Sequence, residues 1–203
     1  MGRGPRYHVA FKRRMNGKTD YYMRRSMILS KVPRLVTRCS LRHVTTQLVE
    51  SYPEGDKTLV AAHSKELTND FGWNAPCGNV PTAYLTGFLL GHRALSLGIQ
   101  HAILDIGLQK PSIGARIFAV LKGAEDAGLD VPCDKKILPD DSRARGEHIA
   151  SYAKQLLESD SGLYEKRFSK YLAKGLKPEE CAEHLGQVKK KIIDVSKRGG
   201  KNV

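Results

Sequence analysis

Two apolar segments with helical spacing, near residues 80–97 and 114–127, bracket a short apolar run, HAILDIGL (101–108). No other feature constrains the fold as much. In the first segment Tyr84, Leu85, Phe88, Leu89 and Leu95 recur at helical spacing, Pro81 suits an early helical position and Gly98 a C-terminal cap. In the second, Ile117, Phe118, Leu121 and Ala124 share a face, and Gly128 follows as the cap. Upstream, RLVTRCSLRHVTTQLVE (34–50) is rich in β-branched residues and interrupted near Ser40, so it reads as a hairpin. PEGD (53–56) is a turn, and KTLVAAHS (57–64) a third strand. A strand, helix, strand and helix in succession imply a right-handed crossover and a parallel strand pair. The expected fold class is therefore α/β. A mixed sheet, an antiparallel three-strand meander plus a parallel strand, carries packed helices.

The chain divides into a basic N-terminal arm (1–32), an α/β core domain (33–134) and a helical C-terminal extension (135–203). Within the arm, TDYYMRRSMILS (19–30) predicts a short helix with Thr19 or Asp20 as its N-cap. The extension has helical patterns at 142–158, 161–174 and 178–197. Gly87 and Gly91 form a small pair on the first long helix and are expected to let that helix approach the sheet closely.

Charge is unevenly placed. The 203 residues carry a formal net charge of +13, and residues 1–50 hold 12 Lys and Arg against 2 acidic residues. Residues 51–150 hold 10 against 12, and residues 151–203 hold 12 against 7. The middle is thus an ordinary globular composition, and the N-terminal quarter is a candidate for polyanion binding. In YHVAFKRRMNGKTDYYMRR (7–25) six basic residues face one Asp, with Tyr7, Phe11, Tyr21 and Tyr22 among them. Cations neutralise phosphates, Arg forks match them bidentately, and aromatic faces stack on unpaired bases. A solvated charged tail is the competing reading; the interleaved aromatics favour nucleic acid. Arg34, Arg38, Arg42 and His43 continue the basic surface onto the hairpin.

Other chemistries find little support. Cys39, Cys77, Cys133 and Cys181 form no CxxC pair, so no zinc site is expected, and they read as reduced cytosolic thiols. Cys181 and His184 are spaced three apart but have no further ligands nearby in sequence. No metal or cofactor is expected. The run Ala83–Leu90 is too short to span a bilayer, so no membrane partner is expected. DIGLQKPSIGARI (105–117) lacks both GxxxxGK[S/T] and GxGxxG. It reads as an ordinary strand-to-helix connection. The competing function is an α/β enzyme acting on RNA or a nucleotide, with this loop as its phosphate site and Asp105 as a catalytic group; no nucleophile–base constellation accompanies Asp105.

Several segments together resemble a known family, the large-subunit ribosomal protein numbered eighteen in its archaeal form. They are GPRY (4–7), KTDYY (18–22), PRLVTRCSLRHVTTQLV (33–49), AHSKEL (62–67), FGW (71–73), PTAYLTGFLLGHRA (81–94), ILDIGL (103–108), DAGLDVP (126–132) and RGEHIA (145–150). The likeness runs to about residue 175. It implies a cytoplasmic ribosomal protein without catalysis, which binds 5S rRNA and anchors it to the large-subunit rRNA in the central protuberance. Its implied partners are 5S rRNA, large-subunit rRNA and neighbouring large-subunit proteins. Eukaryotic relatives carry a longer C-terminal part, so the length here fits the archaeal type. The residues expected to contact rRNA are Arg3, Arg6, Tyr7, Lys12, Arg13, Arg14, Lys18, Tyr21, Tyr22, Arg24, Arg25, Arg38, Arg42 and His43. Relatives often have Asn where this hairpin has Leu41, so its turn is expected to differ.

Overall fold

The computed structural model describes residues 4–199. Its arm holds two short helices, α1 (Lys12–Met15) and α2 (Tyr21–Leu29). Of the two candidate caps, Thr19 and Asp20, it is Asp20 that caps α2, its carboxylate accepting from the Tyr22 and Met23 amides at 2.9 and 3.2 Å. Lys31, at φ 57°, is the only non-glycine residue in the left-handed region among those described. It follows the end of α2 and turns the chain into the core.

The core sheet has four strands, β1 (Arg34–Cys39), β2 (Val44–Tyr52), β3 (Gly55–His63) and β4 (Ile103–Asp105), in the order β3-β2-β1-β4. The meander is antiparallel and β4 lies parallel to β1. The fourth strand is shorter than HAILDIGL suggests, because only Ile103–Asp105 pair with β1. The hairpin turn needs no left-handed residue. The Ser40 amide donates to the His43 carbonyl at 2.8 Å, and the Ser40 hydroxyl accepts from the His43 amide at 2.9 Å. Leu41 sits at the tip, 94% exposed, and its φ is not positive.

Strand residues alternate between two faces. Leu35, Leu48, Val44 and Ala62 are buried on one of them, under helix α4 (Val80–Ser96) and helix α5 (Arg116–Asp126). A short helix, α3 (Ser64–Asn69), follows β3. Nearly all of α4 is buried, since it meets the sheet, α5 and the C-terminal helices.

Gly87 and Gly91 face α5 and not the sheet, contrary to the sequence reading. A Cβ on Gly87 would overlap the Val120 carbonyl oxygen, and one on Gly91 would lie 2.6 Å from Ala127 Cβ. Gly123 of α5 abuts the Tyr84 carbonyl in return. Two helix backbones therefore touch through glycine on both sides. Gly87→Ala is expected to cost stability at or above the upper end of the ~1–3 kcal/mol typical of overpacking. The denaturant midpoint would fall while the slope stays constant; an unchanged midpoint would show that the helices separate freely.

The C-terminal region contains α6 (Asp141–Arg145), α7 (Glu147–Ser159), α8 (Ser161–Leu172) and α9 (Cys181–Gly199). The pattern expected as one helix at 142–158 is broken at Gly146, which takes φ 87°. There the chain turns beside Pro81 and Cys181. Along α9, Cys181, Leu185, Val188 and Ile192 are buried, and their helical spacing turns one stripe inward. Together with Tyr164, Phe168 and Tyr171 of α8 they join the same apolar cluster as α4 and the sheet.

Candidate nucleic-acid interface

Among the described residues the second face of the sheet carries no helical layer of its own, and α2 leans over it through the Arg24–Asp56 pair. Register places Arg34, Val36 and Arg38 of β1 on this face, opposite Val49, Gln47 and Thr45 of β2, with Asp105 of β4 beside Val36. Asp56 and Thr58 of β3 share it through their pairing with Ser51 and Val49. Two basic side chains four residues apart on one strand are thus brought against two carboxylates that are distant in sequence.

The result is an unbroken ladder of ion pairs. Arg24 of α2 grips Asp56 bidentately, at 2.6 and 2.8 Å. Arg34 bonds Asp56 at 2.7 Å on one side and Asp105 at 2.9 Å on the other. Arg38 closes the series at 3.0 Å from Asp105, and also donates to the Asp105 carbonyl at 2.8 Å. The Gly107 amide donates at 2.9 Å to the same Asp105 oxygen, Oδ1, that accepts from Arg38. Arg34 and Asp105 are buried, at 4% and 7% side-chain exposure. Burial of this kind is tolerated because each charge has a partner. The Arg24 hydrogen bond, reinforced by Arg34 and Ser51, holds the Asp56 carboxyl down at about 2. This stabilisation is full above the ordinary carboxylate range and is lost as pH falls toward 2.

The ladder explains what Asp105 does. As the catalytic group of an enzyme it would need to be open to a substrate; here it is 5% exposed and committed to two guanidiniums and an amide. The 106–115 loop is tied to its surroundings by the Gln109 side-chain amide, which donates to the Cys39 carbonyl at 3.3 Å, and by the Gly114 amide, which donates to the Ile137 carbonyl at 2.9 Å. Arg116, at the start of α5, donates to the carbonyls of Ser40 and Gly78 at 2.8 and 2.9 Å.

The expected contact residues fall into three groups. Arg6, Tyr7, Lys12, Arg14, Lys18, Tyr22 and Arg25 are exposed along the arm. Arg13 is exposed too, its Nε donating to the Thr19 hydroxyl at 2.9 Å, and Tyr21 packs its half-buried ring on Phe11 at 4.8 Å between centroids. Arg24 and Arg38 have their charge engaged by carboxylates. Arg42 is exposed at the hairpin tip, whereas His43 is half-buried, with Nδ1 at 3.3 Å from the Ser64 hydroxyl and its ring beside His63. Arg3 lies outside the described residues. Arg13, Lys18, Tyr21, Arg24 and Arg38 come together around an open groove of about 600 Å³ between α2 and the sheet. Sequence reasoning missed Asp56 as a partner of the arm and Arg34 as the buried centre of the ladder. Alternation along β1 was a signal for Arg34, since it shares a strand face with Arg38.

No group of three or more His, Cys, Asp or Glu side chains positioned to hold a metal occurs among the described residues. Cys181 is buried, and His184 stacks on Trp73 at 5.2 Å and accepts the Asn74 amide at 3.1 Å. Both residues attach α9 to the body of the protein. No helix among the described residues is long and apolar enough to cross a membrane.

Comparison with known proteins identifies the relatives of the chain. A family described as "Ribosomal large subunit proteins 60S L5, and 50S L18" matches residues 5–100 and 97–134. The chain is 53% identical over 194 residues to the "Large ribosomal subunit protein uL18" of Caldivirga maquilingensis, covering 96% of this chain and 94% of that protein. The proteins of the same name from Ignicoccus hospitalis and Staphylothermus marinus are 51% and 49% identical over 194 residues, each covering 96% of this chain and, respectively, 95% and 96% of the relative.

Proposed function

The chain belongs to the family of ribosomal large subunit proteins that comprises 60S L5 and 50S L18, and from that premise we propose that it binds 5S rRNA and anchors it to the large-subunit rRNA in the central protuberance. Membership makes it a structural constituent of the large ribosomal subunit, without catalysis of its own and at work in the cytoplasm. Its partners on this reading are 5S rRNA, large-subunit rRNA and adjacent ribosomal proteins.

The observation that carries the reading is where the free charge sits. Arg6, Lys12, Arg13, Arg14, Lys18 and Arg25 project from the arm, and Arg42 from the hairpin tip, all exposed and none in an ion pair among the described residues. Such cations are available to phosphates at little desolvation cost. Arg24 and Arg38 have another part: held by Asp56 and Asp105, they fix the arm and the sheet edge in place, and phosphates meet only their outer sides. Tyr7 and Tyr22, 55% and 82% exposed, offer ring faces to unpaired bases.

Capture of RNA by the tagged protein, followed by sequencing, tests the assignment: 5S rRNA should dominate, and its absence would refute 5S recognition. Arg42→Ala is expected to weaken 5S rRNA binding about tenfold, the order of one charge-assisted hydrogen bond. The melting temperature should not change, because the exposed Arg42 side chain makes no hydrogen bond within the described residues. Unchanged affinity with a lowered melting temperature would assign Arg42 to the fold instead.

A further inference from the structure

The groove between α2 and the sheet has features that a plain electrostatic surface does not need. Its walls are not symmetric. On the arm side stand Tyr21 and Met27; on the sheet side stand Val36, Gln47 and Thr58. The half-buried Gln47 amide and the exposed Thr58 hydroxyl make no side-chain hydrogen bond within the protein among the described residues, and the buried Arg34 Nε beside them also lacks a partner there. Of the three carboxylates that line it, Asp56 and Asp105 are neutralised by Arg24, Arg34 and Arg38, and Asp20 accepts from the Tyr22 and Met23 amides as the cap of α2. Arg13 and Lys18 also line it, with no ion-pair partner among the described residues. The volume of about 600 Å³ falls within the ~300–1,000 Å³ of small-molecule sites. A double helix cannot enter such a space, whereas one base with its sugar and phosphate can.

We propose that this groove seats a single unpaired nucleotide of the RNA that the protein binds. The base lies between the Tyr21 and Met27 side chains and the sheet, the Gln47 amide and Thr58 hydroxyl meet its edge, and the phosphate rests between Arg13, Lys18 and the outer side of Arg38. The Arg24–Asp56 clamp sets the width of the groove, because it fixes the distance of α2 from β3. This inference rests on the RNA-binding reading above and adds to it a place where single-stranded RNA is distinguished from duplex.

The test compares a mixed-sequence single-stranded RNA decamer with the same decamer annealed to its complement, by fluorescence anisotropy at low salt. Gln47→Trp and Thr58→Trp fill the groove from two different strands without changing charge, so misfolding of one variant, read from its melting curve, leaves the other informative. Each should lower affinity for the single strand about tenfold, the order of one lost base-stacking contact. Duplex affinity, which depends on the arm, should stay within twofold. Millimolar inorganic phosphate should not displace the single strand. Equal losses for both RNA forms, or no loss in either, would overturn the proposal, as would phosphate competing as well as the oligonucleotide. If the unaltered protein binds neither RNA at low salt, it is the RNA-binding reading that fails.

Discussion

Raising monovalent salt from 50 to 200 mM is expected to weaken binding to 5S rRNA by about 10³–10⁵-fold, the loss that follows when roughly six to ten phosphate contacts release their counterions. The exposed cations without an ion-pair partner, on the arm and at the hairpin tip, supply contacts of about that number. The structure sharpens this expectation. Arg24 and Arg38 already face carboxylates, so phosphates that meet them release fewer counterions than phosphates that meet Lys12 or Arg25. Lys12→Ala should therefore reduce the slope of log affinity against log salt by close to one unit, and Arg24→Ala by less, while Arg24→Ala lowers affinity by releasing α2 from Asp56. Filter binding across a salt series measures both. A nearly flat plot would refute the polyelectrolyte account, and equal slope changes in the two variants would show that Arg24 is as free as Lys12.

Asp105→Ala is expected to destabilise the fold by about 3–5 kcal/mol, the usual result of removing one partner from a buried pair. The substitution leaves the Arg34 guanidinium, at 4% side-chain exposure, with only Asp56 and Ser51 as partners, and strips Arg38 and the Gly107 amide of an acceptor. Asp105→Asn keeps an acceptor oxygen and should cost less. Asp56→Asn should also cost less, because the Asp56 side chain is 29% exposed and solvent can replace part of what is lost. Urea denaturation of the three variants gives the order directly. If Asp105→Ala unfolds at the same urea concentration as the unaltered protein, the ladder does not hold the sheet edge and its alignment along the open face has another purpose.

Most of the element order was legible before any coordinates because those elements are announced by local chemistry; the short helices α1 and α3 were not. Tyr84, Phe88 and Leu89 recur at helical spacing, Asp20 sits where an N-cap belongs, and PEGD is a turn whatever surrounds it. That the strand near 101–108 joins the sheet in parallel also followed, since a strand–helix–strand succession leaves few other topologies, but its place beside β1 did not. The amphipathic runs of the C-terminal region were read as helices, but the break at Gly146 was not. A glycine between two good helix segments is compatible with one continuous helix, and only its placement against Pro81 and Cys181 selects the left-handed turn. Gly87 and Gly91 were recognised as a close-approach surface, yet the backbone they approach belongs to α5. A small-residue pattern records that something comes near, without recording which element it is.

The basic arm and its aromatics, and hence the class of partner, were determined by composition and spacing alone, because net charge and side-chain type act on phosphates and bases whatever the arm's exact path. Which cations remain free was decided only by the tertiary structure. Arg24 meets Asp56 across 32 positions and Arg34 meets Asp105 across 71, and no local signal announces pairs at such distances. Whether an arginine is a phosphate contact or a brace for the fold depends on the carboxylate that chain topology sets opposite it. Coulomb attraction of that kind is short-ranged in space and indifferent to separation along the chain, so only the folded sheet, with β4 laid beside β1 and the arm helix above them, settles it.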